Sequence, residues 1–200
     1  MRSSTTRFLA AVFLLVASST AFAHPGHNVS GFSAGLMHPF SGLDHLLAMV
    51  AVGLWAAQGN TLKRGKSKVW LLLLPATFMT MLAVGAGIAM QWQSLPLVES
   101  GIAASVLALG LLIALSLQLP ASLSVAITGL FGLLHGYAHG LELPQSAAPV
   151  EYTLGFLAAT AGLHLGGIAA GLAMRQRYAL LTRFLGSAIA VSGACLLVSA

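Results

Sequence analysis

Five of the seven histidines and two of the four carboxylates lie at three places in strongly apolar sequence. Charged groups cost about 2.5–3.5 kcal/mol each inside a membrane, so they usually mark function there. Imidazole and carboxylate ligands without thiolate suit Ni²⁺, Co²⁺ or Zn²⁺ rather than Cu⁺. These places therefore predict a divalent metal site, with the candidate ligands His38, Asp44, His45, His135, His139 and Glu142 in the first two and His164 alone in the third.

The second place has the spacing of a helical metal-binding stripe. His139 follows His135 by four residues, and Glu142 follows by three more. Residues three and four apart share one face of a helix. Two imidazoles at this spacing can bind one ion, and a carboxylate at the next turn can complete the site or pass the ion on.

In the first place, His38 and His45 are seven residues apart. On a continuous helix they would share a face at about 10 Å separation. Met49 continues that stripe one turn deeper, as core packing or as a further ligand. Asp44 points elsewhere, so it either faces a neighbouring helix or orients a ligand. Ser41-x-x-Asp44 is also a capping box, which would mark a helix start and leave both histidines as ligands.

Other ionisable residues have two open interpretations each. His164 is either a hydrogen-bonded interior histidine or a deep relay position. His24 and His27, in the segment His24-Pro25-Gly26-His27, either capture metal first or belong to a disordered tail. Glu99 and Glu151 suit the N-terminal ends of helices at the membrane interface.

The composition requires lipid around most of the surface. Hydrophobic residues make up 58% and charged residues 6% of the 200 residues, and the mean hydropathy is +0.90. A soluble domain has about 25% charged residues. The apolar runs are long, which predicts an all-α polytopic membrane protein and argues against a β-barrel or a nucleic-acid-binding protein. The single cysteine, Cys195, excludes a disulfide framework or a thiolate cluster and is interpreted as a packing residue.

Residues 1–23 have the features of a cleaved signal peptide. Arg2 and Arg7 form the basic region, 8–16 the apolar region, and 21–23 (Ala-Phe-Ala) the cleavage site. The mature chain would begin at residue 24, on the outer face of the membrane. An uncleaved signal anchor is the alternative.

Residues 24–200 are predicted to form a single six-helix transmembrane domain. Pro39 and Pro75 should kink or unwind the first two spans. Small residues four apart, in the fourth and fifth spans, predict close helix packing at Gly132, Gly136 and Gly140 and at the pairs Gly162–Gly166 and Gly167–Gly171. The predicted spans are 31–57, 69–90, 97–118, 121–141, 150–173 and 179–199.

The charges give an independent orientation. With the mature N-terminus outside, the inner loops would contain every lysine and arginine after residue 23, namely Lys63, Arg64, Lys66, Lys68, Arg175, Arg177 and Arg183. This agrees with the positive-inside rule. His38, His139 and Glu142 would then lie near the outer surface, with the other candidate ligands deeper. That order is consistent with uptake.

The motifs His38-x5-Asp44-His45 and His135-Gly136-x-Ala138-His139-Gly140-x-Glu142 resemble those of the HupE/UreJ family. The likeness extends to the signal peptide, the six helices and the histidine-containing mature start. The resemblance implies an inner-membrane nickel, or in some members cobalt, permease that supplies hydrogenase or urease maturation. It also implies which residues carry permeation: His38, Asp44, His45, His135, His139 and Glu142.

The sequence thus predicts a permease with no permanent cofactor, whose partners are the ion and the bilayer, with a homo-oligomer possible. Two rivals stay open. One is an intramembrane zinc hydrolase in which Asp44 or Glu142 activates water. The other is a subunit that binds metal without moving it. A repeated Gly-Leu-x-His at 35–38 and 132–135 hints at two three-helix halves.

Overall fold

The computed structural model describes residues 31–62, 68–91, 96–142, 148–174 and 178–200. The predicted signal peptide, His24 and His27 lie outside the described residues. Within the described ranges, every regular secondary-structure element is helical. These elements are α1 (Gly31–Met37), a short 3₁₀ turn (His38–Phe40), α2 (Leu43–Leu62), α3 (Lys68–Ala89), α4 (Val98–Ala114), α5 (Ala121–Leu141), α6 (Pro149–Met174) and α7 (Ala179–Ser199).

Each predicted span coincides with helical structure, and together the helices give the chain the architecture of a polytopic membrane protein. Four of the described helices are long and apolar enough to cross a bilayer, and the bent pair Gly31–Phe40 and Leu43–Gly59 makes a fifth if it is one span. The apolar helix α4 is shorter, at 17 residues. The count of six spans therefore stays a prediction.

The first predicted span is not one continuous helix. Its two parts meet at an angle of 80°, and Pro39 lies in the 3₁₀ turn that ends the first part, just before the bend. Proline has no N–H to donate to the preceding turn, which favours a break here, as predicted. Pro75 behaves differently, because α3 continues through it without unwinding.

Two helix pairs are parallel and very close. Gly53 of α2 lies against the backbone of His164 in α6, and Gly171 lies against Ala57 further along. The residue numbers rise together, so α2 and α6 run in the same direction. The same holds for α5 and α3, where Gly132 packs on Phe78, Gly136 on Leu82 and Gly140 on Ala86.

The third close pair is antiparallel. Gly110 of α4 lies against Ala190 of α7, whereas Gly193 lies against Leu107. Parallel α2 and α6, parallel α3 and α5, and antiparallel α4 and α7 are the directions that alternating crossings would give.

Two packing predictions are wrong. A Cβ at Gly162 or Gly166 would meet nothing within 4 Å, so that pair does not make a close helix contact. Cys195 is exposed on α7 rather than packed inside. Both α6 and α7 present one face outward, and the small residues on those faces have no neighbouring helix within the described structure.

Candidate metal site

Three predicted ligands converge at one end of the helix bundle. His38 lies in the 3₁₀ turn, His139 in the last turn of α5, and Glu142 directly after that helix. His38 Nε2 is 2.9 Å from His139 Nδ1 and 3.1 Å from Glu142 Oε2. One donor atom from each residue lies within 4.8 Å of the others, so the three can share a single ion.

Glu142 connects this triad to the exterior. Its side chain is 49% exposed, whereas His139 is 4% exposed. Hydrogen bonds from His139 and then from His38 lower the pKa of the Glu142 carboxyl below its ordinary value of 4.5. The carboxylate is therefore ionised at neutral pH, and it places a negative charge where the site opens.

His45 lies immediately behind the triad, with its ring centroid 4.1 Å from that of His139. Its Nδ1 donates to Asp44 Oδ1 at 2.6 Å, and its backbone N–H donates to the same oxygen. Asp44 therefore orients His45, one of the two roles expected for it. Ser41 does not form the capping box, because its hydroxyl donates instead to the carbonyl oxygen of His38.

His135 is the next imidazole inward. Its ring centroid is 5.2 Å from that of His45, and its Nδ1 donates to the carbonyl oxygen of Phe131 at 2.8 Å. His135 and His139 do lie on one helix face. The structure nevertheless brings His139, and not His135, to Glu142 and His38, so the two imidazoles occupy successive positions.

His164 lies deeper than His135, and both rings contact that of Phe78. The Phe78 ring centroid is 5.4 Å from that of His135 and 5.2 Å from that of His164. His164 Nδ1 donates to the carbonyl oxygen of Met49 at 2.7 Å. The Met49 side chain belongs to the buried apolar core, so this residue contributes an oriented carbonyl rather than an evident thioether ligand.

Aromatic residues that sequence reasoning missed form the walls of the site. Phe156 lies 4.2 Å from the His139 ring and Tyr152 lies 5.7 Å from the His38 ring, measured between centroids. Phe78 contacts both inner imidazoles. Nothing marks these three among the chain's other aromatic residues. Glu99 and Glu151 are exposed in the first turns of α4 and α6, as expected.

The buried imidazoles share one pattern of hydrogen bonding. The Nε2 atoms of His45, His135, His139 and His164 have no hydrogen-bond partner among the described residues. A carbonyl or carboxylate can only accept, so the Nδ1 atoms of His45, His135 and His164 carry protons. In a neutral ring this leaves the Nε2 lone pair free, which is the arrangement of a histidine oriented to bind a metal.

The fold and this site define a helical membrane protein with histidine and carboxylate side chains that begin at one end of the helix bundle and continue inside. The chain belongs to the HupE/UreJ family, because residues 12–196 match the family model described as HupE / UreJ protein. This is a transporter-type family associated with nickel or cobalt uptake for hydrogenase or urease. A curated relative, Protein HupE of Rhizobium leguminosarum bv. viciae, is 43% identical over 197 residues, covering 98% of each chain. No solved structure matches the chain.

Proposed function

We propose that this protein is an inner-membrane permease that takes up a divalent transition metal, nickel first and cobalt second, for hydrogenase or urease maturation. One observation carries the proposal. The triad of His38, His139 and Glu142 opens to the exterior, and buried imidazoles with free Nε2 atoms continue inward from it. The expected cargo is the ion, and no permanently bound cofactor is part of the proposal.

Charge supports entry from the outer face. The end of the bundle that contains the triad also contains Glu99 and Glu151, in the first turns of α4 and α6. The opposite end contains Lys68, at the start of α3, and Arg183, which donates from Nε to the carbonyl oxygen of Ala114 at the end of α4. Basic residues favour the cytoplasmic side. The proposed topology has six spans, with α4 as the short one, after a cleaved signal peptide over residues 1–23.

The ligand chemistry suits passage. The carboxylate and two imidazoles of the triad can replace part of the hydration shell of Ni²⁺ or Co²⁺. His45 and His135 then each offer, in succession, one imidazole nitrogen that is unpartnered within the described structure. Conduction requires binding strong enough for entry and weak enough for release. Single imidazoles in succession satisfy that requirement better than one closed four-ligand cage would.

The triad alone also fits the zinc-hydrolase rival, because two histidines and one glutamate are a known catalytic zinc set. The residues behind it favour transport. A hydrolase has no use for His45 and His135 with free Nε2 atoms in the interior, whereas an ion crossing the bilayer does. The second rival, a non-transporting metal-binding subunit, differs from a permease in flux rather than in binding.

The test is radioactive nickel uptake into proteoliposomes that contain the purified protein, together with equilibrium binding of Ni²⁺. His45→Ala and His139→Ala should each reduce uptake by at least tenfold. Glu142→Gln should do the same, while the matched change Glu151→Gln, at an exposed carboxylate away from the triad, should leave uptake unchanged.

Each rival predicts a distinct result. Binding without uptake in the wild type would identify the non-transporting subunit. Zinc-dependent hydrolysis of lipid or peptide that both histidine variants abolish would identify the hydrolase. Normal uptake in both His45→Ala and His139→Ala would refute the permease through this site.

A further inference from the structure

His164 is buried, with 1% of its surface exposed, yet half of its hydrogen-bonding capacity is unused. Its Nδ1 donates to the Met49 carbonyl oxygen, and its Nε2 has no partner in the described part of the chain. An unsatisfied buried polar atom costs about 1–3 kcal/mol. An apolar residue at this position would avoid that cost, so packing alone does not account for a histidine here.

The location of His164 separates it from the other imidazoles. It is the sixteenth residue of α6, about 22 Å from the helix start at 1.5 Å per residue. Its hydrogen bond reaches Met49, one helical turn further along α2 than His45. Phe78, fully buried, contacts the rings of both His135 and His164. His164 is therefore the innermost imidazole of the described residues, and it shares the aromatic neighbour Phe78 with His135, the next one outward.

A second buried polar atom without a partner among the described residues lies four residues before His164. Thr160 is one turn earlier on α6 and therefore on the same helix face. Its side chain is fully buried, and Oγ1 has no partner within the described structure. The face of α6 that contains His164 thus presents a free nitrogen and a free hydroxyl oxygen, both acceptable to a divalent transition metal.

We infer that His164 is a second, inner binding position for the transported ion, reached only after the ion passes Phe78. The inference rests on the proposed permease function. The outer position, at His38, His139 and Glu142, captures the ion with the help of a charge. The inner position receives it through Nε2 of a ring whose orientation and tautomer the Met49 carbonyl fixes. Release toward the cytoplasm then starts from a single imidazole.

Three substitutions separate a ligand from a structural hydrogen bond. In His164→Asn, the amide nitrogen occupies the place of Nδ1, so the bond to Met49 is kept and the Nε2 ligand is lost. His164→Cys and His164→Ala both lose that bond, but only cysteine supplies a new metal ligand. If His164 binds the ion, His164→Asn should reduce nickel uptake into proteoliposomes at least tenfold. His164→Cys should exceed His164→Ala by at least threefold.

Equilibrium binding of Ni²⁺ distinguishes the two positions. The affinity measured at the outer triad should be unchanged in His164→Asn and lost in His139→Ala. Wild-type uptake by His164→Asn, or loss of outer-site affinity in that variant, would overturn the inner position while leaving the permease intact. If His164→Asn does not fold, equal uptake by His164→Cys and His164→Ala overturns it instead. Absence of uptake by the wild type would refute the permease itself.

Discussion

Gly136→Ala should abolish most transport although Gly136 is not a metal ligand. A Cβ at this position would lie 1.9 Å from the Leu82 carbonyl oxygen and 2.6 Å from its carbonyl carbon. Such an atom is essentially never closer than 3.0 Å to a backbone atom, so α3 and α5 must separate by about 1.1 Å locally. Backbone atoms on both sides leave no flexible side chain to absorb the contact.

The displacement acts directly on the candidate site. His139 is one turn beyond Gly136 on α5, and its Nδ1 lies 2.9 Å from His38 Nε2. A shift of about 1 Å exceeds the tolerance of such a contact. Misplacing a reacting group by that distance can cost about 100-fold in rate, and overpacking a helix interface costs about 1–3 kcal/mol of unfolding free energy. We therefore expect uptake to fall by one to two orders of magnitude while much of the protein still folds.

The assay is radioactive nickel uptake into proteoliposomes with equal amounts of inserted protein, alongside thermal denaturation in detergent. Gly162→Ala is the matched control, because a Cβ there meets nothing within 4 Å. It should leave uptake unchanged and add helix propensity worth up to about 1 kcal/mol. Uptake by Gly136→Ala equal to that of Gly162→Ala would refute the argument that close backbone contact between α3 and α5 positions the site.

Three further predictions concern individual residues at or beside the candidate site. Asp44→Asn removes the charge that fixes the His45 tautomer and should weaken Ni²⁺ binding about 10–100-fold in calorimetry; unchanged affinity would contradict the orienting role. Met49→Leu keeps the carbonyl that His164 uses, so uptake should stay within about twofold of wild type; a larger loss would make the thioether a ligand. The lowered pKa keeps Glu142 ionised between about pH 5 and pH 8. As the pH decreases through this range, the affinity for Ni²⁺ should therefore decrease only because protons compete for the imidazoles. Glu142→Gln should then lower the affinity at every pH in this range, whereas an affinity equal to that of the wild type would show that the carboxylate does not take part in binding.

The sequence was sufficient for the helices and for the proximity of one pair of candidate ligands, His139 and Glu142. Long apolar runs between polar or proline-containing breaks predicted each helical region, since a bilayer permits few alternatives to helices. Their spacing predicted that His139 and Glu142 share one helix face, and in the structure His139 Nδ1 lies 3.5 Å from Glu142 Oε2. Both the helices and this contact within one helix end depend on residues close together in the sequence, so the local pattern was enough to predict them.

The approach of His38 to His139 and Glu142 could not be predicted in the same way. A continuous helix over 31–57 would keep His38 and His45 about 10 Å apart on one face. The 80° bend after Phe40 instead brings both rings to His139, at centroid distances of 4.8 Å and 4.1 Å. Proline predicted a break but not its angle. The angle depends on α1 and α2 packing on α6 and on His38 meeting α5, contacts about 100 residues apart in sequence.

Negative charge is unevenly distributed among the candidate ligands between Glu142 and His164, and this affects both entry and release of an ion. Negative charge is confined to the outer end, at Glu142 in the triad and at Asp44 behind His45. The next two imidazoles, His135 and His164, donate to backbone carbonyls and have no carboxylate partner among the described residues. A carboxylate makes an imidazole a stronger ligand than a carbonyl does, and its charge attracts the ion. Binding should therefore weaken from the outer face inward, which favours capture at low concentration outside and release from His164. An enzyme that retains its metal at the triad would have no need of further, weaker binding positions at His135 and His164.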